Sequence, residues 1–318
     1  MGAGVIGLTT GICLAEAGLR VVIRTCRRPQ DTTSAVAGAV WGPHLVEESA
    51  RAAHWAELTL AVLREQARDP ATGVRVGSGI LASRDPAAMA AAPEWAAALD
   101  GLRPARPGEL PPGFTVGWRY SAPLVSMPVY LEYLAGRLTA AAGELTEGSV
   151  SSLAGAAREA AASVVVNCTG AAARELAGDP AVTPVRGQSV IVANPGLTDF
   201  LIGLPGQGRE LVYVFPHGDV AVLGGTTAAG DASLAPDPAV AGRILRDCAE
   251  AEPRLRGARV LAHRVGLRPR RPAVRLQAVP GARGGPLVVH NYGHGGAGVT
   301  LAWGCARDVT ALAARALS

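Results

Sequence analysis

Gly2-Ala3-Gly4-Val5-Ile6-Gly7 stands at the head of the chain, and together with the next eighteen residues it decides the fold. The spacing is GxGxxG, in which the glycines permit a tight turn, close approach of backbone to a pyrophosphate, and tight packing of the next helix. Val5, Leu8, Ile12 and Ala15 then share one helical face, and Gly18 falls where a C-terminal cap belongs. Arg20-Val21-Val22-Ile23-Arg24 comes next as a short buried strand. Turn, helix, glycine and strand is the order of a βαβ unit whose helix N-terminus offers NH donors and a positive dipole to phosphates. The first strand of such a unit precedes the glycine turn, and here only Met1 does. The expectation is therefore a sheet without its first strand, which implies either a start inside the gene or a weakened nucleotide site. NAD-binding versions end the second strand on Asp or Glu. This chain has Arg24-Thr25-Cys26-Arg27 there, so the turn leaves the nucleotide open.

Working outward, residues 46–68 read as an amphipathic helix, 76–83 and 114–126 as strands, and 128–142 as a helix with Tyr130, Leu134 and Leu138 on one face. Ser163-Val164-Val165-Val166-Asn167 is a fully buried strand ending at Cys168-Thr169-Gly170. From 182 to 280 the pattern is mostly β, with strands at 190–193, 211–215, 220–224, 260–265 and 274–279 and one helix near 237–250. The chain closes on a strand at 287–290, a glycine-rich turn from Gly293 to Gly298, and a helix carrying Val299, Trp303, Ala306 and Val309. The fold class is α/β (α+β overall): a Rossmann-like nucleotide domain from 1–43, 129–183 and 284–318, interleaved with a mostly antiparallel substrate domain from 44–128 and 184–283.

Composition narrows the function. The 318 residues are 49% hydrophobic, enough for a large core. No apolar run reaches the ~18 residues a membrane-spanning helix needs, and no signal-type segment opens the chain. A bacterial cytoplasmic enzyme is the simplest reading, and Ala316-Leu317-Ser318 does not resemble a peroxisomal SKL address. The net charge of +4 comes with no lysine and with scattered arginines, which gives nucleic-acid binding little support. Cys13, Cys26, Cys168, Cys248 and Cys305 form no metal-type spacing and read as reduced thiols, so no metal is expected.

Further motifs carry a resemblance. They are Thr32-Thr33-Ser34 through Ala37-Gly38-Ala39-Val40-Trp41, Val166 to Gly170, Pro184-Val185-Arg186-Gly187-Gln188 and Tyr213-Val214-Phe215-Pro216. Leu223 to Thr226, Val265-Gly266-Leu267-Arg268 through Pro272, and His290-Asn291-Tyr292-Gly293-His294 through Gly298 complete the set. In this order the chain resembles the D-amino-acid oxidases and D-aspartate oxidases over essentially its whole length. The resemblance implies FAD as cofactor. By residue, it implies that Gly2, Gly4, Val5, Ile6 and Gly7 approach the pyrophosphate and Arg27 and Val150 the adenosine side. Thr33, Ser34, Gly38, Ala39, Val40 and Thr169 would line the rest of the cofactor, with Arg268 beside it. Gly295, Gly296, Gly298, Val299 and Thr300 would set the last helix N-terminus against the flavin, where it favours negative charge.

For substrate, the resemblance assigns Arg268 to a D-amino acid α-carboxylate, with two parallel hydrogen bonds as a planar guanidinium allows. Tyr213 would support the same carboxylate, and the carbonyl of Gly296 would orient the amine. The implied reaction transfers the Cα hydrogen as hydride to flavin N5; the imino acid hydrolyses to a 2-oxo acid and ammonia, and O2 is reduced to hydrogen peroxide. No side chain is required as acid or base, so His44, His217, His263, His290 and His294 read as structural. A homodimer is compatible with the family. Two departures bear on substrate: the short Gly206-Gln207-Gly208-Arg209-Glu210 stretch before Tyr213, and His44, a position where D-aspartate oxidases carry histidine. Neutral or mixed D-amino acids are the preferred reading. D-aspartate, with Arg209 meeting its side chain, is an alternative, as is a glycine- or sarcosine-type amine oxidase. A non-catalytic, cofactor-poor homologue is the alternative from another class.

Overall fold

Residues 1–44, 46, 49–206, 208–281 and 285–317 are described by the computed structural model. The start of the helix expected from 46, Gln207 of the stretch before Tyr213, the domain boundary at 283/284 and Ser318 therefore lie wholly or partly outside the described residues.

The elements run α1 (Val5–Glu16), β1 (Val22–Thr25), α2 (Thr33–Val36), α3 (Ala50–Gln66), β2 (Val74–Ser83), β3 (Asp100–Pro104), β4 (Val116–Val125) and α4 (Met127–Ala140). They continue with β5 (Glu144–Glu147), α5 (Leu153–Glu159), β6 (Val164–Asn167), α6 (Ala173–Leu176), β7 (Thr183–Ala193), β8 (Phe200–Gly203), β9 (Val212–His217) and β10 (Val220–Gly224). β11 (Ala228–Ala229), α7 (Pro238–Ala251), β12 (Val260–Val279), β13 (Leu287–His294) and α8 (Gly298–Leu317) complete the chain.

Local chemistry sets several boundaries. Ser49 caps α3 by accepting from the Ala52 amide, and Asp237 caps α7 by accepting from Ala239 and Val240, with Pro238 in the first turn where its missing NH costs nothing. Gly18, at φ +85°, turns the chain out of α1. Most of α1 is buried because α4 and α8 pack on either side of it, with Leu8, Ile12, Leu131, Leu134 and Leu138 closed off from solvent. Each such leucine or isoleucine contributes roughly 1.5–3 kcal/mol.

Among the described residues the strands form one large sheet in the order β3-β4-β2-β8-β9-β10-β7-β12-β13-β6, with β11 beside β7, and a separate parallel pair β1-β5. The antiparallel region expected between 182 and 280 is β7, β9, β10 and the first half of β12. The strands expected at 260–265 and 274–279 are one strand. β12 pairs with β7 from Val260 to Arg270, and with β13 mainly from Arg275 to Val279 after a register shift between Arg270 and Arg275. Pro272 falls inside that shift, where no ladder NH is needed.

The strand expected before Gly2 is represented by Met1 and Gly2. The Met1 ammonium donates to the Val166 carbonyl (2.7 Å), Cys168 NH donates to the Met1 carbonyl (3.0 Å), and Gly2 NH donates to the Arg24 carbonyl (2.9 Å). These two residues join the C-terminal ends of β1 and β6; farther down, no strand among the described residues lies between them, and Val22 is 39% exposed.

Candidate active site

Where β1, β6 and α1 meet, a cavity of about 1050 Å³ opens and extends across the large sheet as far as β4. Its wall at the β1 end is built from Gly2, Gly4, Val5, Ile6, Arg27, Val150 and Thr169; farther along come Thr33, Ser34, Gly38, Ala39 and Val40, then Gly295, Gly296, Gly298, Val299 and Thr300. Gly7 alone of the expected contact residues does not line it. A Cβ there would stand 2.9 Å from the Gly2 carbonyl carbon, so Gly7 shapes the turn from behind.

The residues fit a long dinucleotide. A Cβ on Gly2 would meet the Cys168 carbonyl carbon at 3.1 Å, and one on Gly4 the Ser34 hydroxyl at 2.9 Å, so this stretch presents bare backbone to the cavity. Two helix N-termini face the same space, those of α1 and the twenty-residue α8. On the wall between them, the Asn291 side-chain oxygen and His294 Nε2 are buried without a hydrogen-bond partner among the described residues. Burial lowers the His294 pKa to about 3, so its ring is neutral. Two hydroxyls are already engaged: Ser34 accepts from Val5 NH (2.9 Å), and Thr300 donates to the Gly42 carbonyl (2.8 Å). Val5 NH is thus taken up within the protein, and the donors left at this wall are the other first-turn amides of α1 and α8, which have no intrahelical acceptor.

At the other end the sheet is the floor. Arg268 on β12 lies across β7 over Gly187, where a Cβ would stand 2.5 Å from its guanidinium carbon. Tyr213 on β9 lies across β10 over Gly224, whose Cβ would meet the phenol ring and hydroxyl. β10 and β7 are neighbours, so the two side chains converge. Arg268 donates to the Thr226 carbonyl (2.8 Å) and has no carboxylate partner among the described residues; burial pushes its pKa down. Tyr213 stacks on Phe215 with centroids 4.6 Å apart, and its hydroxyl has no partner among the described residues. A half-buried guanidinium without a carboxylate partner, beside a free hydroxyl, has the chemistry to accept a planar anion such as a carboxylate. Gly296 adjoins it: its NH donates to the His44 carbonyl (3.0 Å), and the His44 ring fills the space a Cβ would take.

The histidines divide. His217 Nε2 is 3.0 Å from the Gly38 carbonyl, and His290 Nδ1 is 3.4 Å from Asn167 Nδ2, which suits structural roles. His44 and His294 both line the cavity. Burial, then the charge of Arg268, lowers the His44 pKa to about 4, so it brings no positive charge at neutral pH. Arg209 is absent from the cavity wall and pairs with Glu250 on α7. Trp95 and Tyr120 stand outside every motif quoted from the sequence, and Gly187 and Gly224 appear only inside longer ones, with no role of their own. The one signal available for Trp95 was a lone aromatic in the alanine-rich run 87–98.

Such a site defines an enzyme that pairs a dinucleotide cofactor with a small carboxylate-bearing molecule. A family model described as FAD dependent oxidoreductase matches residues 1–312, and the chain belongs to that family. A D-amino-acid oxidase from Rubrobacter xylanophilus is 50% identical over 318 residues, covering 100% of this chain and 96% of that one. A D-amino-acid oxidase from Streptomyces coelicolor is 47% identical over 98% of this chain and 95% of its own length. Human D-aspartate oxidase is 34% identical over 98% of this chain and 93% of its own. Among solved structures, glycine oxidase from Geobacillus kaustophilus has the same fold, with a TM-score of 0.78 at 22% identity, covering 99% of this chain and 93% of that one. No helix of the described residues is long and apolar enough to cross a membrane.

Proposed function

We propose that the chain is a FAD-dependent oxidase of D-amino acids, yielding 2-oxo acids, ammonia and hydrogen peroxide. The observation that carries this reading is Arg268, unpaired and half-buried over Gly187 beside the free Tyr213 hydroxyl, at the end of a cavity whose other end suits a dinucleotide. The two relatives at 47–50% identity, both D-amino-acid oxidases, support the D-isomer.

Gly2, Gly4, Val5, Ile6, Ser34 and Thr169 would hold the FAD phosphates and ribityl chain. Arg27 and Val150 would flank the adenosine, and the N-terminus of α8 would lie against the ring. When bound there, FAD would supply the hydride acceptor and the redox link to O2. The protein's share is orientation. Arg268 and Tyr213 hold the α-carboxylate, the Gly296 carbonyl accepts from the amine, and the buried aromatic wall keeps water away from the Cα–H bond. His44, with its pKa lowered to about 4, adds no charge beside the substrate at neutral pH. The division into 1–43, 129–183 and 284–318 against 44–128 and 184–283 follows this split of labour between cofactor and substrate.

Neutral D-amino acids fit better than D-aspartate, because Arg209 is committed to Glu250 and His44 is uncharged. The test is purified protein with added FAD: yellow colour, and peroxide with D- but not L-isomers. Protein that gains no flavin absorbance, or that oxidises L-isomers equally, defeats the proposal.

A further inference from the structure

The floor continues well beyond the carboxylate site. Trp118 on β4, Leu81 on β2, Ile202 on β8 and Tyr213 on β9 are register partners in succession, so their side chains share one face of the sheet. Tyr120, two residues along β4 from Trp118, lies on that face too. Three strand spacings separate Tyr213 from β4, which makes this extension roughly 14 Å. It is walled by aromatics. The Tyr120 ring is 5.9 Å from Trp95 at 90°, and Trp95 is 6.2 Å from Trp41. The Trp95 ring also stands 3.7 Å from where a Cβ on Gly42 would be, two residues from His44. Wall and floor thus close on the same end of the cavity as Arg268.

This extension holds no ionised group among the described residues. The charged side chains on the cavity wall are Arg24, Arg27, Glu175 and Arg268; the first two belong to the β1 end, and Glu175 stands on α6, a few residues after Thr169. Nearby arginines turn elsewhere: Arg119 pairs with Asp199, and Arg84 donates to the Gly113 carbonyl over the Phe114 ring. A charged substrate side chain would lose its water here and meet no counter-charge; the polar atom on offer is the neutral Tyr120 hydroxyl, buried without a partner among the described residues. A small one would leave the aromatic wall uncovered.

Resting on the D-amino-acid reading, we propose that this extension is a subsite for large apolar or aromatic side chains and that Trp95 sets its selectivity. Trp95 is half-buried where Trp41 and Tyr120 are fully buried, so its ring has a free surface to offer. Edge-to-face contact and burial against that ring favour a phenyl group.

The experiment compares kcat/KM for D-phenylalanine, D-alanine and D-aspartate in the FAD-loaded protein, wild type and Trp95→Ala, with Trp95→Phe as the conservative variant. D-phenylalanine is expected to lead in the wild type. Trp95→Ala should cut the D-phenylalanine to D-alanine ratio by about 10- to 100-fold, and Trp95→Phe should restore most of it. Retained flavin absorbance in both variants separates this from a folding defect. Calorimetry gives a second readout without turnover: 3-phenylpropanoate should bind the wild type more tightly than propanoate or succinate, and Trp95→Ala should erase that difference. A ratio that Trp95→Ala leaves unchanged, or D-aspartate as the best substrate, overturns the subsite while leaving D-amino-acid oxidation standing. Absence of turnover with every D-isomer overturns the broader reading instead.

Discussion

Replacing Gly187 by alanine tests the geometry of the anion site without touching a polar group. The new Cβ would stand 2.5 Å from the Arg268 guanidinium carbon, against the roughly 3.5–4.0 Å of an ordinary carbon contact, so the guanidinium must retreat by about 1 Å or more. What has to move is the tip of a flexible side chain. The fold and the bound flavin should therefore be retained, with a stability change on the order of 1 kcal/mol or less. The cost falls on substrate. Charge-assisted hydrogen bonds of this kind contribute about 1.5–3 kcal/mol, so KM for any D-amino acid should rise about 10- to 150-fold. Arg268→Leu sets the ceiling, because it leaves a buried carboxylate unpaired at about 3–5 kcal/mol. The assay is peroxide-coupled steady-state kinetics, with flavin absorbance as the control for cofactor. In the double variant Gly187→Ala adds nothing once Arg268 is gone, since the two act through one contact. Wild-type KM in Gly187→Ala, or independent effects in the double variant, would refute the placement of Arg268.

Three further outcomes are expected. Gly7→Ala sets a Cβ against the Gly2 backbone, which cannot yield as a side chain does; overpacking costs about 1–3 kcal/mol. A lowered melting temperature and loss of flavin absorbance should result. Tyr213→Phe removes a hydroxyl but keeps the stack on Phe215, so KM should rise about fivefold, for roughly 1 kcal/mol, with an unchanged melting temperature. His294 has a pKa of about 3 when folded and about 6.5 when unfolded, so on acidification the unfolded chain takes the proton first and stability falls from pH 6.5 towards 3. Between pH 7 and 5 this amounts to about 2 kcal/mol, a slope that urea unfolding should show reduced by that amount in His294→Asn.

The cofactor end was legible in the sequence because consecutive residues make it: Gly2 to Gly7 carry turn, helix start and bare backbone within six positions. The substrate end is assembled by strand order. Nothing local to Gly187 or Gly224 says that β7 and β10 will lie side by side with Arg268 and Tyr213 reaching in from the strands beyond. Trp95 and Tyr120 belong to the site only because β8 enters parallel beside β2 and carries the floor from β9 to β4. The sequence pattern shows β12 as two strands, at 260–265 and 274–279, with the prolines Pro269 and Pro272 between them. The register shift that accommodates Pro272 is visible only against both neighbours. His44 and His294 read as structural because the implied reaction requires no side-chain acid or base; the fold sets both on the cavity wall, desolvated and neutral.

That same long strand ties the two ends together. Its first half presents Arg268 to the substrate floor through β7, and its second half pairs with β13, which leads into the N-terminus of α8. The bridge between them is short: Gly295 NH donates to the carbonyl of Pro269, next to Arg268, at 3.0 Å, and Gly296 NH donates to the carbonyl of His44 at 3.0 Å. Backbone hydrogen bonds therefore link the strand that carries Arg268 directly to the residues that lead into α8. Hydride transfer needs its reacting atoms within about 3–3.5 Å of each other, and a lapse of 1 Å can cost about 100-fold in rate. The spacing between the strand that carries Arg268 and the start of α8 is thus set by backbone hydrogen bonds, and the Arg268 side chain, held by the Thr226 carbonyl, completes the reach to the carboxylate. The substrate's own side chain is left free to vary along the aromatic extension without disturbing the Cα.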